Sequence, residues 1–245
     1  MVATAPASLP QQMALDIALP PMASLANFEA GGNADALAHV RLWAGSAQAT
    51  GSPVPSYLWG ATGSGKTHLL DAASAALRER GLMVGRLDAT RAEPGEFEPQ
   101  WAAIVLDDVQ AYSAVQQRAA FQWIVQAMSP ASGTPRAVLA AGALPPADLP
   151  LRDDLRSRLG WGHVFQLQPP DEPTRRAILR AQAHARGIRL GDDVLDYVLT
   201  RFSRDLSHLS ELLARLDAYA LRTRRPLSIA LLRDMMAHEP SGAHP

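Results

Sequence analysis

A glycine-rich octapeptide, GATGSGKT, is the strongest indication of chemistry in this sequence. It spans residues 60–67 and matches the phosphate-binding pattern G-x-x-x-x-G-K-[ST] in full. The glycines let the backbone curl so that N–H groups point at phosphate oxygens, and the helix predicted to follow adds the positive end of its dipole. We expect Lys66 to reach the β- and γ-phosphates and Thr67 to offer its hydroxyl to Mg²⁺. The predicted nucleotide contacts are Gly60, Ala61, Thr62, Gly63, Ser64, Gly65, Lys66, Thr67 and His68.

Two consecutive aspartates follow the apolar stretch AAIVL. In P-loop proteins the first carboxylate of such a pair holds Mg²⁺ through its waters, and the second polarises the attacking water. Paired aspartates are also common in ordinary turns. Because this pair lies downstream of a complete phosphate-binding loop, we interpret Asp107, together with Thr67, as the Mg²⁺ site and Asp108 as a catalytic residue.

The composition narrows the class of protein. The chain has 245 residues, of which 47% are hydrophobic, enough for one large domain or two modest ones. A net charge of -1 argues against a general nucleic-acid or membrane binder, and no run of about 18 apolar residues is present. Cysteine is absent, which excludes disulfides and thiolate metal sites. We expect a cytoplasmic protein.

Lysine usage singles out the phosphate-binding loop. Of the 23 basic residues only Lys66 is a lysine, which leaves 22 arginines. A lysine retained against such a bias indicates a site at which arginine does not serve.

Strands and helices alternate through the first two thirds of the chain. Strands are predicted at 56–59, 82–89, 102–108 and 136–142, and one predicted helix follows the phosphate-binding loop. This alternation predicts a P-loop three-layer α/β/α domain with a parallel sheet.

The last third is predicted to be entirely helical. Asp171 is a candidate N-cap, and Gly187 is a candidate helix stop. The predicted organisation is a tail over residues 1–22, an α/β domain over 23–168 and a small all-helical lid domain over 169–240.

Five motifs together resemble the AAA+ module of the replication initiator DnaA, over about residues 24–240. They are LANFEAGGN, GATGSGKTHLL, IVLDDVQ, SRLGWG and QPPDEPTRRAIL. The resemblance implies that LANFEAGGN borders the adenine of bound ADP or ATP. It also implies that Arg158, in SRLGWG, is an arginine finger that reaches into a neighbouring subunit's nucleotide.

Two departures from DnaA narrow the resemblance. We expect neither the DNA-binding helix-turn-helix domain of DnaA nor its N-terminal helicase-contacting domain in this chain. A lone AAA+ module behind a short N-terminal peptide resembles the Hda family, regulatory inactivators of DnaA. That resemblance implies a negative regulator of replication initiation, which docks on the DNA-loaded sliding clamp and makes DnaA hydrolyse its ATP. It implies no sequence-specific DNA binding, and it leaves a homodimer possible.

The positions called sensors in the family depart from its pattern. After the fourth predicted strand the sequence reads AAGALPP, so Ala141 and Ala143 offer no side-chain hydrogen bond. Ser207 stands where DnaA has arginine, and the adjacent His208 is expected on another face of the helix. Both changes remove groups that would stabilise charge on the γ-phosphate. We therefore expect nucleotide binding with weak intrinsic hydrolysis, and the sequence leaves open whether ADP or ATP is the resident nucleotide.

The N-terminal stretch QQMALDIALPP contains QMALDI, which resembles the bacterial clamp-binding motif. In an extended chain its apolar side chains share one face, because alternate residues of a strand point the same way. The resemblance implies that the amide of Gln12 binds at the rim of a pocket on the clamp. The predicted clamp contacts are Gln12, Met13, Leu15 and Ile17.

Two other functions are compatible with a P-loop. An ATP-dependent helicase loader of the DnaC/IstB kind shares a DnaA-like core, but it should carry a helicase-binding domain or a basic face for single strands. Neither is evident in the sequence. A small-molecule kinase is disfavoured by SRLGWG and by the helical lid.

Overall fold

The computed structural model describes residues 23–46, 54–130, 133–202 and 205–238. Within these residues five parallel strands form one sheet in the order β2-β3-β4-β1-β5. The strands are β1 (Ser56–Trp59), β2 (Met83–Leu87), β3 (Trp101–Leu106), β4 (Ala137–Gly142) and β5 (His163–Gln166).

Helices cover both faces of the sheet because the central strands are apolar on both sides. In β3, Ile104 and Leu106 belong to one buried cluster, whereas Ala103 and Val105 belong to the other. Helices α1 (Ala34–Ser46) and α2 (Lys66–Glu79) contribute to the second cluster, and α3 (Ala114–Met128) and α4 (Asp153–Gly160) to the first. The predicted three-layer α/β/α architecture is confirmed.

Four further helices follow the sheet and enclose their own apolar cluster, which includes Leu179, Leu209 and Leu231. They are α5 (Glu172–Ala185), α6 (Asp192–Arg201), α7 (Leu206–Thr223) and α8 (Ile229–His238). The carboxylate of Asp171 caps α5 by accepting a hydrogen bond from the backbone N–H of Thr174, at 2.9 Å. Gly187 lies just beyond the helix with a φ of 71°. The helical lid is therefore present as predicted, and its boundary near residue 169 stays a prediction.

Two elements were not predicted from the sequence. Strand β5 was missed because it is a short edge strand whose residues are mostly exposed, so it lacks the apolar pattern of a buried strand. Helix α4 was missed because its sequence, DDLRSRLG, is dominated by charge and buries only Leu155 and Leu159.

The predicted clamp-binding peptide and the rest of the tail lie outside the described residues. Among the residues that are described, no helix is long and apolar enough to cross a membrane.

Candidate nucleotide-binding site

The phosphate-binding loop joins the carboxyl end of β1 to the start of α2, as the motif requires. Gly63 and Gly65 have φ angles of 76° and 93°, a left-handed conformation that side chains rarely adopt. A Cβ on Gly65 would lie only 2.7 Å from the ring of Phe28. Helix α2 begins at Lys66 without a side-chain cap, so its first N–H groups remain available to an anion.

Lys66 is folded back onto this loop. Its ammonium donates hydrogen bonds to the carbonyl oxygens of Gly60, at 2.8 Å, and Ala61, at 2.9 Å. Burial lowers the pKa of Lys66, and the nearby Asp108, Asp107 and Asp205 partly oppose this effect. A phosphate group would give the lysine a charged partner in place of two neutral carbonyls, which are weaker acceptors.

A cavity of about 180 Å³ opens beside the loop. Its walls come from the N-terminal segment, the loop and the lid, and they include Phe28, Asn33, His68, Ile178, Gln182 and Leu206. Two polar atoms in the walls, Ser64 Oγ and Gln182 Oε1, are buried without a hydrogen-bond partner in the described part of the chain. Orphaned polar atoms in a largely apolar cleft are consistent with a ligand that has both polar and apolar surfaces.

His68 forms part of the wall between the loop and the N-terminal segment. Its Nε2 is 2.9 Å from Oδ1 of Asn27, and its ring is tilted against Phe28 with the ring centroids 5.7 Å apart. Burial lowers the pKa of His68, so its ring is neutral near pH 7 and donates through Nε2 to the amide oxygen. The segment LANFEAGGN is thereby held against the phosphate-binding loop, and its place beside the adenine stays a prediction.

Asp107 and Asp108 follow β3 at the same edge of the sheet as the phosphate-binding loop. Asp107 is buried, with 4% of its side chain exposed, and the Thr67 hydroxyl lies close enough to influence its pKa. Burial raises the pKa of Asp107, whereas Arg86 and this hydroxyl lower it. Asp108 is exposed and has a φ of 49°, which is uncommon outside glycine.

The two predicted metal ligands, Thr67 and Asp107, are therefore adjacent. Mg²⁺ usually takes one or two protein groups in addition to phosphate oxygens and water, so this pair fits the ion. Within the described residues no cluster of three or more acidic, histidine or cysteine side chains forms a self-sufficient metal site. Metal binding at this position would thus depend on the nucleotide.

Arg86, on β2, is a residue of the site that the sequence did not indicate. Its guanidinium is 2.9 Å from Oδ2 of Asp107 and 2.7 Å from Oδ1 of Asp71, on α2. Asp88 lies farther away, at 3.8 Å. Arg86 therefore joins the helix of the phosphate-binding loop to the aspartate pair. One arginine among 22 gave no signal, because its two close partners, Asp71 and Asp107, are 15 and 21 residues away along the chain.

The first sensor position contains no polar side chain. Ala141 is fully buried in β4, and only the backbone N–H of Ala143 is used, donating to Oε1 of Gln110 at 2.8 Å. The amide nitrogen of the same Gln110 donates to Asp108, at 3.2 Å. Gln110 thus connects the aspartate pair to the first sensor loop, a role that sequence reasoning missed.

The second sensor position carries a short side chain beside an acidic one. Ser207 is exposed in the first turn of α7, and its backbone N–H donates to Asp205 at 2.8 Å. Asp205 lies against the phosphate-binding loop, since a Cβ on Gly63 would be 2.9 Å from its carboxylate. A carboxylate here repels phosphate, whereas an arginine would attract it. His208 is also exposed, as predicted.

Arg158 lies at the opposite edge of the sheet from the phosphate-binding loop. It is two residues from the end of α4, which leads into β5, and His163 at the start of β5 pairs with Ser56 at the start of β1. The phosphate-binding loop follows the other end of β1. The Arg158 guanidinium is half-buried and makes no hydrogen bond or ion pair within the described residues. The neighbouring Arg156, by contrast, is paired with Asp153.

Comparison with known proteins shows similarity to one family model and to several solved structures. A family model described as the lid domain of Hda matches residues 171–236. Domain III of the replication initiation protein DnaA from Thermotoga maritima has a similar structure, with a TM-score of 0.72 and 22% identity over 89% of this chain and 96% of that chain. AMPPCP-bound DnaA from Aquifex aeolicus gives a TM-score of 0.62 and 23% identity over 85% and 70%. RuvB from Thermotoga maritima, a Holliday junction branch migration motor, gives 0.61 and 13% over 84% and 69%.

At these identities the structural similarity shows the fold alone, which this chain shares with domain III of DnaA. The match to the Hda lid domain covers helices α5 to α8 and identifies them as a lid of that type. The predicted P-loop, sheet and lid accordingly belong to one architecture: the fold is similar to that of domain III of DnaA, and residues 171–236 match the lid domain of Hda.

Proposed function

We propose that this protein is a nucleotide-bound adaptor that stimulates hydrolysis of ATP bound to DnaA while docked on the DNA-loaded sliding clamp. The observation that carries the proposal is the state of Arg158, which makes no hydrogen bond or ion pair with any described residue. It lies at the edge of the sheet opposite to the protein's own phosphate-binding loop. A guanidinium in that position serves a nucleotide on another molecule. The lid match supports the choice of DnaA as that molecule.

In this proposal the protein's own site binds ADP or ATP with its base beside Phe28 and its phosphates on the first turn of α2. Lys66 leaves the loop carbonyls and neutralises phosphate charge. Thr67 and Asp107 would hold Mg²⁺, which supplies further neutralisation of phosphate charge. The bound nucleotide connects the loop to the lid and so fixes the shape of the surface offered to DnaA.

Arg158 acts in the second nucleotide site, formed with DnaA. A guanidinium beside the transferring phosphoryl group stabilises charge that develops in the transition state, and such arginine fingers are worth about 10³–10⁵ in rate. The proposal does not require this protein to hydrolyse ATP itself.

The decisive experiment follows ADP production by ATP-loaded DnaA in the presence of clamp, DNA and this protein. We expect Arg158→Ala to abolish the stimulation without changing nucleotide binding by the variant itself. Arg156→Ala is the matched control, because it removes an arginine from the same helix whose charge is already paired with Asp153. Full stimulation by Arg158→Ala would refute the assignment, and loss only with Arg156→Ala would transfer the role to that residue.

Clamp docking through QMALDI rests on sequence resemblance alone. Such a short peptide must be ordered on binding, so we expect about micromolar affinity. Clamp binding should be lost in a chain beginning at Ser24 and strongly weakened by Leu15→Ala combined with Ile17→Ala. A suitable control is Asp16→Ala, because Asp16 is expected on the opposite face of the extended peptide. Undiminished binding of the shortened chain would show that the tail is not the anchor.

A further inference from the structure

The base end of the cavity contains one amide whose hydrogen-bonding capacity is unused. Gln182 lies on α5, and its Oε1 is buried without a donor in the described part of the chain. An acceptor buried in this way costs free energy that a ligand's donor can recover. The neighbouring lid residues of the cavity, Ile178, Ala181 and Ala185, cannot supply that donor from their side chains.

The other two amides that line the cavity are committed to protein partners. Asn33 exchanges two hydrogen bonds with the backbone of Gln168, at 2.9 and 2.7 Å. The Asn27 oxygen is 3.0 Å from the backbone nitrogen of Ser24 and 2.9 Å from the His68 ring. These contacts fix the N-terminal side of the cavity and leave Gln182, on the lid, to meet a polar group of the base.

We propose that Gln182 recognises the exocyclic amino group of a bound adenine and thereby makes the lid part of base selection. Adenine presents a donor at its C6 amino group. Guanine and hypoxanthine present an oxygen there, which cannot donate a hydrogen bond to the orphaned Gln182 oxygen. The inference rests on the proposed adenine-nucleotide binding, and it adds the group that distinguishes adenine from other purines.

Removal of either partner in the proposed hydrogen bond, the adenine amino group or the Gln182 amide, should weaken binding of the nucleotide to the same extent. Calorimetry on the full chain would compare ADP with purine riboside diphosphate, which lacks the amino group, and with GDP. For the wild type we expect ADP to bind about tenfold more tightly than purine riboside diphosphate, the effect of one hydrogen bond to an otherwise orphaned acceptor. Gln182→Met, which keeps a side chain of similar length, should bind these two ligands equally.

Gln126→Met is the matched control, because Gln126 is exposed on α3, away from the cavity, and should leave the preference for ADP intact. Thermal unfolding of each variant checks the fold. A tenfold preference that persists in Gln182→Met would overturn the proposal, as would a wild type that binds the two ligands equally. Failure of the wild type to bind ADP at all would instead refute the proposed nucleotide site, and this inference with it.

Discussion

The two sides of the candidate nucleotide site differ in how many polar groups they offer to phosphate. The β1–α2 side has three features that suit the phosphates of a nucleoside diphosphate: a glycine-rich loop, an uncapped helix start and a buried lysine. The side where the resemblance places the γ-phosphate, formed by the end of β4 and the start of α7, presents the methyl group of Ala141 and the short side chain of Ser207. It also places Asp205 against the loop.

This difference separates binding from catalysis. Groups that contact the ground state hold a nucleotide, whereas hydrolysis requires additional charge stabilisation that exists only in the transition state. Under the proposed function, the site keeps the first kind of group and lacks side chains of the second kind at the two positions that the resemblance assigns to the sensors. Arg158, unpaired within the described residues, lies at the opposite edge of the sheet, and under the proposed function it acts in another molecule's site.

The largest expected effect concerns turnover. Intrinsic hydrolysis should fall well below the ~1–100 s⁻¹ that is typical of kinases. Ser207→Arg places a cation at the start of α7, on the side that lacks one. It should raise the rate of phosphate release about 10–100-fold at saturating Mg-ATP. His208→Arg is the control, because it adds the same charge one position along the helix. Kinase-like turnover by the unchanged protein would contradict the contrast between the two sides.

On the β1–α2 side, Lys66→Ala should weaken ADP binding by about 10–100-fold, since it removes a charge-assisted contact worth ~1.5–3 kcal/mol. Titration calorimetry with ADP measures the effect directly. Arg78→Ala removes a charge from the exposed far end of the same helix and should leave the affinity unchanged. Equal affinities for Lys66→Ala and the wild type would mean that the loop does not bind phosphate.

The smallest effect tests the ion pair that joins the loop helix to the aspartate pair. Arg86→Met should lower the free energy of unfolding by about 1–3 kcal/mol near pH 7, because the buried Asp107 carboxylate loses its counter-ion. The pKa of Asp107, already raised by burial, should rise further. A carboxyl group with a raised pKa destabilises the fold when it is ionised, and the penalty disappears as pH falls through that pKa.

Urea unfolding at neutral pH and at about pH 5 measures this dependence. The destabilisation by Arg86→Met should be greater at neutral pH. Arg152→Met, which breaks an exposed pair with Asp154, should cost less than about 1 kcal/mol. An Arg86→Met effect that does not change with pH would show that Asp107 is not its cause.

Much of the site follows from the sequence because its residues are close along the chain. The octapeptide specifies a loop between a strand and a helix, and β3 ends directly at the aspartate pair. Both arrangements follow from local periodicity and from the glycine pattern. Parallel pairing then brings the carboxyl ends of β1 and β3 to one edge of the sheet, so the proximity of Thr67 to Asp107 was also predictable.

Tertiary structure alone decided the contacts between distant segments. Arg86, on β2, pairs with Asp71 on α2 and with Asp107 just beyond β3, and Gln182 lines the cavity only because the lid helix returns to the loop. Strand β5 exists because the exposed edge of β1 offers backbone groups for pairing, although its own sequence is weakly apolar. The periodicity of apolar residues indicates which face of a helix or strand is buried. A polar contact between distant segments depends on the folded chain and produces no periodic pattern in the sequence.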